Sequence, residues 1–287
     1  MGSPLSRTIT RIPEGLRRGR RPFSRNGRIQ VLTYHAVLPS YDQWKKVPSA
    51  EAWYALTAAQ FEAQMQFLSN EGFATALLTE FLDGKAPQKS VVLTFDDGHE
   101  SNFRIAVPIL LRFGFRAEFF VTVSSLGQPG FMNWEDLNRI SDMGMSVQSH
   151  GLHHRALTNL SDNELYDELR SSKELLEEKL GKQVKYLAVP GGFINQRVYR
   201  EALLARYAAV CNSESRLARK SRIISRIAIA HSISQHTFES LVRRESWSLL
   251  RVKAQREFGK GGKALLGVRR YEILKRWALR NCASLER

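Results

Sequence analysis

The sequence predicts an α/β fold, a parallel sheet covered by helices and either closed as a barrel or left open and doubly wound. Three observations carry that prediction. Strand-like stretches alternate with helical patterns at least five times between residues 29 and 211. The run Val91-Val-Leu-Thr-Phe95 is apolar enough to be a buried strand. Each notable polar residue (His35, Asp96, Asp97, His150, Pro190) stands at the C-terminal end of a predicted strand, the rim on which (β/α) barrels build their sites.

The elements follow in order. Residues 1–28 are rich in Arg, Gly, Pro and Ser without periodicity and read as a flexible basic arm. Residues 29–34 form a strand ending at His35. Phe61, Met65 and Leu68 have helical spacing within 57–72, where Gly72 stops the helix. The strand 90–95 is followed by a helix over 102–113, a strand over 118–122, a helix over 134–143 ended by Gly144, and a strand over 145–149. Ser161-Asp-Asn-Glu164 has capping-box spacing and opens a long helix whose apolar face is Leu165, Leu169, Leu175, Leu176 and Leu180. Gly181 ends it. Residues 184–189 run as a strand into Pro190-Gly-Gly192, then come a helix over 197–205 and a strand over 207–211. From 237 to about 280 the pattern is helical and basic, anchored by Trp247, Leu250, Phe258, Leu265, Leu266, Leu274 and Trp277. The expected domains are therefore 1–28, 29–236 and 237–287.

Charge divides the same way. Residues 1–30 hold eight Arg and one acid, a balance of +7; residues 216–287 hold 18 basic and five acidic side chains, a balance of +13. The net +15 leaves a body at −5, so the basic ends are appendages for an anionic partner rather than part of a basic cleft. Hydrophobic residues at 43% and charged residues at 25% exclude global disorder. No run reaches the roughly 18 apolar residues of a membrane span. The N-terminus lacks the apolar core of a secretory signal, and Arg20-Arg21 is followed by Pro22-Phe-Ser-Arg-Asn-Gly-Arg28 where an apolar stretch should be, so the expected compartment is cytoplasmic, peripheral at a membrane. Cys211 and Cys282 lie far apart and outside any Cys-x-x-Cys pattern, which gives neither a zinc knuckle nor a disulfide framework.

Chemistry concentrates at two strand ends. Ser149-His-Gly-Leu-His-His154 holds three of the seven histidines. His150 and His154 are four apart, and on one helical turn they would project the same way. Two imidazoles and a carboxylate from another strand suit Zn²⁺, Fe²⁺ or a similar ion with positions left open. Such a cation also offsets the repulsion between adjacent Asp96 and Asp97: one acid binds metal, the other is free to take a proton from water. Either motif alone has a bland reading, a surface histidine cluster or an Asp-Gly turn. At the ends of two strands of one alternating sheet, they favour a metal site.

Thr94-Phe-Asp-Asp-Gly98 together with Ser149-His-Gly-Leu-His-His-Arg-Ala-Leu157 resembles the signature of the polysaccharide deacetylases, the NodB-homology or carbohydrate esterase family four. The likeness covers residues 29–230, and it implies a distorted (β/α) barrel of about seven strands, here with a basic helical C-terminal extension. By position, the resemblance makes Asp96 the general base and Asp97, His150 and His154 the ligands of a divalent ion, zinc first, with Co, Ni, Fe or Mn as alternatives. His153 falls outside the ligand positions. Ala188-Val-Pro-Gly-Gly192 stands where the family has R-P-P-Y-G, so Pro190 and the Gly191 amide take the oxyanion role, while Ala188 lacks the family's Arg. Gly151 replaces the usual Ser or Thr. Leu32-Thr-Tyr-His-Ala-Val37 is similar to the opening of a circularly shifted branch that includes poly-N-acetylglucosamine deacetylases. That likeness makes His35 the general acid, with His231 of Ile229-Ala-His231 as the alternative. Arg226 of Arg226-Ile-Ala-Ile229 is similar to a segment of the same branch, and is the candidate for the charge missing at Ala188.

The expected activity is thus metal-dependent removal of acetyl groups from an N-acetylated polysaccharide or lipid-linked glycan, with metal-bound water attacking the acetamide. An O-acetyl ester is open to the same chemistry. The alternatives are an inactive carbohydrate-binding module on this fold and a nucleic-acid binder acting through the basic ends. No nucleic-acid recognition motif accompanies those ends, and Trp and Leu among basic residues at 247–277 suit an anionic membrane surface.

Overall fold

The computed structural model describes residues 28–44, 53–245, 247–250 and 252. Strand β1 (Arg28–Tyr34) lies parallel to β2 (Ser90–Phe95), and the parallel order continues through β3 (Glu118–Val121), β4 (Ser146–Ser149), β5 (Tyr186–Ala188) and β6 (Ala209–Asn212). A stretch in which sequence patterning shows no strand then nearly closes the ring. Its first half, β7 (Ile223–Ser225), pairs with β6, and its second half, β8 (Ile227–Ala228), pairs with β1. Between the halves Arg226 is fully buried. The result is a distorted, nearly closed α/β barrel of seven parallel strand positions, with residues 74–75 added parallel to β2 and residues 218–219 antiparallel to β1.

Alternation along the strands separates two cores. Val31, Val92, Phe120, Ala188, Cys211 and Ile224 meet in the lumen. Leu32, Leu93, Phe119, Val147, Leu187 and Val210 face outward against the helices. Each strand is thereby buried on both faces, which is why all six residues of β2 are buried and its sequence reads as a nearly unbroken apolar run.

The covering helices are α1 (Ala58–Asn70), α2 (Val107–Arg112), α3 (Trp134–Asp142), α4 (Asp162–Leu180), α5 (Gln196–Leu204) and α6 (Gln235–Val242). A five-residue π turn, Asn102–Ala106, runs straight into α2. The Ser161 cap is reciprocal: its hydroxyl accepts the Glu164 amide while Glu164 accepts the Ser161 amide. Removing that hydroxyl costs about 1 kcal/mol. A short helix, Leu78–Asp83, covers the lumen at the N-terminal end of the strands through Leu78 and Phe81. Its first amide, Leu78, donates to the buried carboxylate of Glu118 at 2.7 Å.

Helix α6 crosses the line drawn between 236 and 237, and Phe238, Leu241 and Val242 are buried in the outer core. Of the expected C-terminal anchors, Trp247 and Leu250 are exposed; the others, like nearly all of the 1–28 arm and residues 253–287, lie outside the described residues. No helix among the described residues is long and apolar enough to cross a membrane.

Candidate active site

Two neighbouring carboxylates part company at the end of β2. Asp97 takes a left-handed backbone (φ 72°), which Asp tolerates better than most residues, and Gly98 follows at φ 86°. A side chain at Gly98 would press on Val121 at 3.3 Å. This kink sends the Asp96 side chain into the lumen and Asp97 toward the end of β4.

Inside the lumen Arg226 meets Asp96 with both prongs of its guanidinium, Nη1 to Oδ1 at 2.6 Å and Nη2 to Oδ2 at 2.8 Å. The guanidinium also lies 5.2 Å from the Phe120 ring centroid. Both partners are buried, Arg226 wholly so. Burial pushes the Asp96 carboxyl up, but the charge of Arg226 and its hydrogen bonds more than offset this and hold the group below its ordinary value. Asp96 is thus a fixed carboxylate with a permanent counter-charge.

Asp97 meets the histidines. Its Oδ1 lies 3.3 Å from Nε2 of His150 and 3.3 Å from Nε2 of His154. One ligand atom from each of the three residues falls within 4.8 Å of the others. His150 Nδ1 stands 2.9 Å from the Ala188 carbonyl. A carbonyl can only accept, so Nδ1 carries a proton there, and Nε2 is the nitrogen turned toward Asp97. The buried Oδ1 accepts no well-directed hydrogen bond, although both nitrogens are near. Three lone-pair donors converging on one point around an unsatisfied carboxylate oxygen fit a divalent cation of the Zn²⁺ type.

The convergence of His150 and His154 is as the sequence suggests, but the helical turn behind that expectation is not what brings it about. Residues 150–156 are a loop in which Gly151 (φ 82°) and His154 (φ 56°) are both left-handed. The chain leaves β4 fully extended and must reverse at once to bring a second imidazole back to the same rim; a helical turn there would carry it away.

His35 stands at the end of β1 with its ring stacked on Tyr54, centroids 4.8 Å apart. His231 instead stacks on Tyr41, centroids 6.2 Å apart, and its amide donates to the Trp53 carbonyl. Pro190 and Gly191 sit in a tight turn after β5, where Gly191 is left-handed (φ 68°) beneath the exposed ring of Phe193. His153 points away from the cluster: its Nδ1 donates to Glu168 at 2.9 Å. Sequence reasoning missed Glu168 and Tyr54. A signal existed for Glu168, a carboxylate between Leu165 and Leu169 on the buried stripe of α4.

Comparison with known proteins agrees with this geometry. The family model for polysaccharide deacetylase matches residues 83–210. YxkH of Bacillus subtilis is 25% identical over 225 residues, covering 75% of this chain and 76% of its own. A poly-β-1,6-N-acetyl-D-glucosamine N-deacetylase of Staphylococcus aureus is 28% identical over 160 residues; the match spans 50% of this chain and about half (55%) of that relative. Among solved structures, a polysaccharide deacetylase from Bacillus cereus is 25% identical with TM-score 0.66, over 75% of this chain and 69% of that one. IcaB from Ammonifex degensii, at 23% identity, shares the fold with TM-score 0.62 over 77% of this chain and 97% of its own. With the barrel and the rim cluster already in place, these matches show a chain similar to the polysaccharide deacetylases, with residues 83–210 fitting that family's model.

Proposed function

We propose that the chain removes acetyl groups from the amino sugars of an N-acetylated glycan, using a divalent ion held by Asp97, His150 and His154. The observation that carries this reading is the convergence of those three donors beside a carboxylate, Asp96, that is held apart from them by its own arginine. When bound, the ion supplies a positive charge that polarises the acetamide carbonyl and makes water a better acid. The rest falls to the chain. Asp96, ionised and immobilised by Arg226, accepts a proton from the attacking water as the new carbon–oxygen bond forms. The Gly191 amide donates to the oxyanion that develops, a role that needs no side chain. His35, on the opposite strand end and stiffened by Tyr54, gives a proton to the departing amine as the carbon–nitrogen bond breaks, leaving acetate and a free amino sugar.

The absence of arginine at Ala188 favours an inactive sugar-binding module only while Asp96 lacks a cation, and Arg226 removes that objection. The S. aureus relative supports a poly-N-acetylglucosamine-like substrate, and the basic ends support operation at an anionic membrane surface. The decisive test is acetate release from N-acetylglucosamine oligomers by the parent chain and by Asp96→Asn. The variant is expected to keep its ion and lose release; release at the parent rate would overturn the assignment.

A further inference from the structure

The loop that carries both imidazoles is gripped from outside by helix α4. Glu168, on the buried face of that helix, is only 2% exposed. Its Oε1 accepts the backbone amide of His153 at 2.5 Å, and its Oε2 accepts Nδ1 of the same residue. A second tie runs alongside it. The Gly151 amide donates to Ser149 Oγ, which donates to Ser172 Oγ one turn further along α4, and that hydroxyl donates to the Leu169 carbonyl. Gly151 completes the contact by lacking a side chain: a Cβ there would stand 3.1 Å from Glu168 Oε1 and 3.8 Å from Pro190. The carboxylate therefore occupies the room a side chain at 151 would need.

We propose that Glu168 is a positioning residue for the ion, holding the 150–154 loop in the conformation that makes His150 and His154 converge. The inference rests on the metal reading of Asp97, His150 and His154. Its physical basis is that the loop contains two left-handed residues, one of them the non-glycine ligand His154, a conformation that persists only where surrounding contacts enforce it. The amide of His153 belongs to the peptide one residue before that ligand, so the bond to Glu168 fixes the backbone that leads into the His154 Cα. The carboxylate also places a negative charge behind a ligand set that, with one aspartate and two neutral imidazoles, leaves a divalent ion half neutralised. Partners of this kind are worth roughly 10- to 100-fold in metal affinity.

The test is the zinc dissociation constant of the full chain, measured by competition with a fluorescent chelator, for the parent, Glu168→Gln, Glu168→Ala and His153→Ala. Thermal unfolding of the metal-free proteins is measured alongside. Glu168→Gln keeps the shape and is expected to bind zinc about 10-fold more weakly with little change in metal-free stability; Glu168→Ala is expected to lose more, up to about 100-fold. His153→Ala, which keeps the backbone amide, is expected to stay within about threefold of the parent. A dissociation constant for Glu168→Gln within about twofold of the parent overturns the proposal, even if its metal-free stability falls, because the glutamate would then be structural only. A loss in His153→Ala equal to that of Glu168→Gln also overturns it, since the imidazole would then matter rather than the amide. A parent chain that binds no zinc is a separate outcome that removes the metal reading itself.

Discussion

Replacing Arg226 with methionine leaves the Asp96 carboxylate in the lumen without its cation. The cost can be worked from the geometry. Both side chains are buried, the pairing is two-pronged at 2.6 and 2.8 Å, and the lumen around them is filled by Phe120, Ala188 and Cys211. Removing one partner of such a pair costs about 3–5 kcal/mol, because the other charge remains buried and uncompensated. That is a large part of the roughly 5–15 kcal/mol by which domains are stable, and in a domain of this size it lowers the melting temperature by roughly 6–20 °C. The assay is chemical unfolding of the parent, Arg226→Met, Asp96→Asn and the double variant. Each single variant is expected to lose several kcal/mol, and the double variant far less than their sum, since it buries no unpaired charge. Strict additivity, or a loss below about 1 kcal/mol in Arg226→Met, would refute the claim that Arg226 is the counter-charge of the proposed base.

Three further outcomes are expected. His35→Ala is expected to lower kcat for acetate release by about 100-fold or more, as loss of a general acid does, with His231→Ala affecting it far less; the reverse order would move the acid to His231. Glu118 gives a pH signature away from the site. Burial, outweighing the Ser146 hydroxyl and the Leu78 amide, pushes its carboxyl up from 4.5 to about 7. The folded state therefore binds a proton that the unfolded chain releases between those values, so the parent loses stability as pH rises through that window. Glu118→Gln is expected to gain about 3 kcal/mol on the parent between about pH 4.5 and pH 8, measured by urea unfolding, at about 1.4 kcal/mol for each tenfold change in proton affinity; a gap that does not change with pH contradicts this. Removing residues 253–287 is expected to abolish binding to anionic vesicles while leaving the barrel folded, whereas a cut at 237 would also strip the buried Phe238 and Leu241 and prove nothing.

The parallel sheet with its covering helices was legible because its strands are buried on both faces and its helices carry caps and stops, while its closure into a barrel came from the resemblance; β2 and the Ser161 cap lie where the patterning puts them. The meeting of Asp97 with His150 and His154 was legible for a topological reason: parallel strands bring all their C-terminal ends to one rim. What escaped was whatever depends on contacts distant in sequence. The closing stretch 223–228 carries an arginine at its midpoint, which no strand pattern would favour, and only a carboxylate 130 residues away explains it. Resemblance alone pointed to Arg226. Spacing suggests a helical turn at 150–154 because it does not reveal left-handed residues such as His154. Glu168 stood in plain view on the apolar stripe of α4, a buried acid whose partner is a backbone amide and so leaves no mark in the sequence.

The most direct test of the account is acetate release from N-acetylglucosamine oligomers by metal-stripped chain as zinc is added back. Release is expected to rise from nothing and saturate at one ion per chain, and to stay at nothing in Asp97→Ala at the same zinc concentrations. Release that persists in the stripped chain, or that zinc restores in Asp97→Ala as it does in the parent, would contradict the claim that this rim cluster holds the ion on which the chemistry depends.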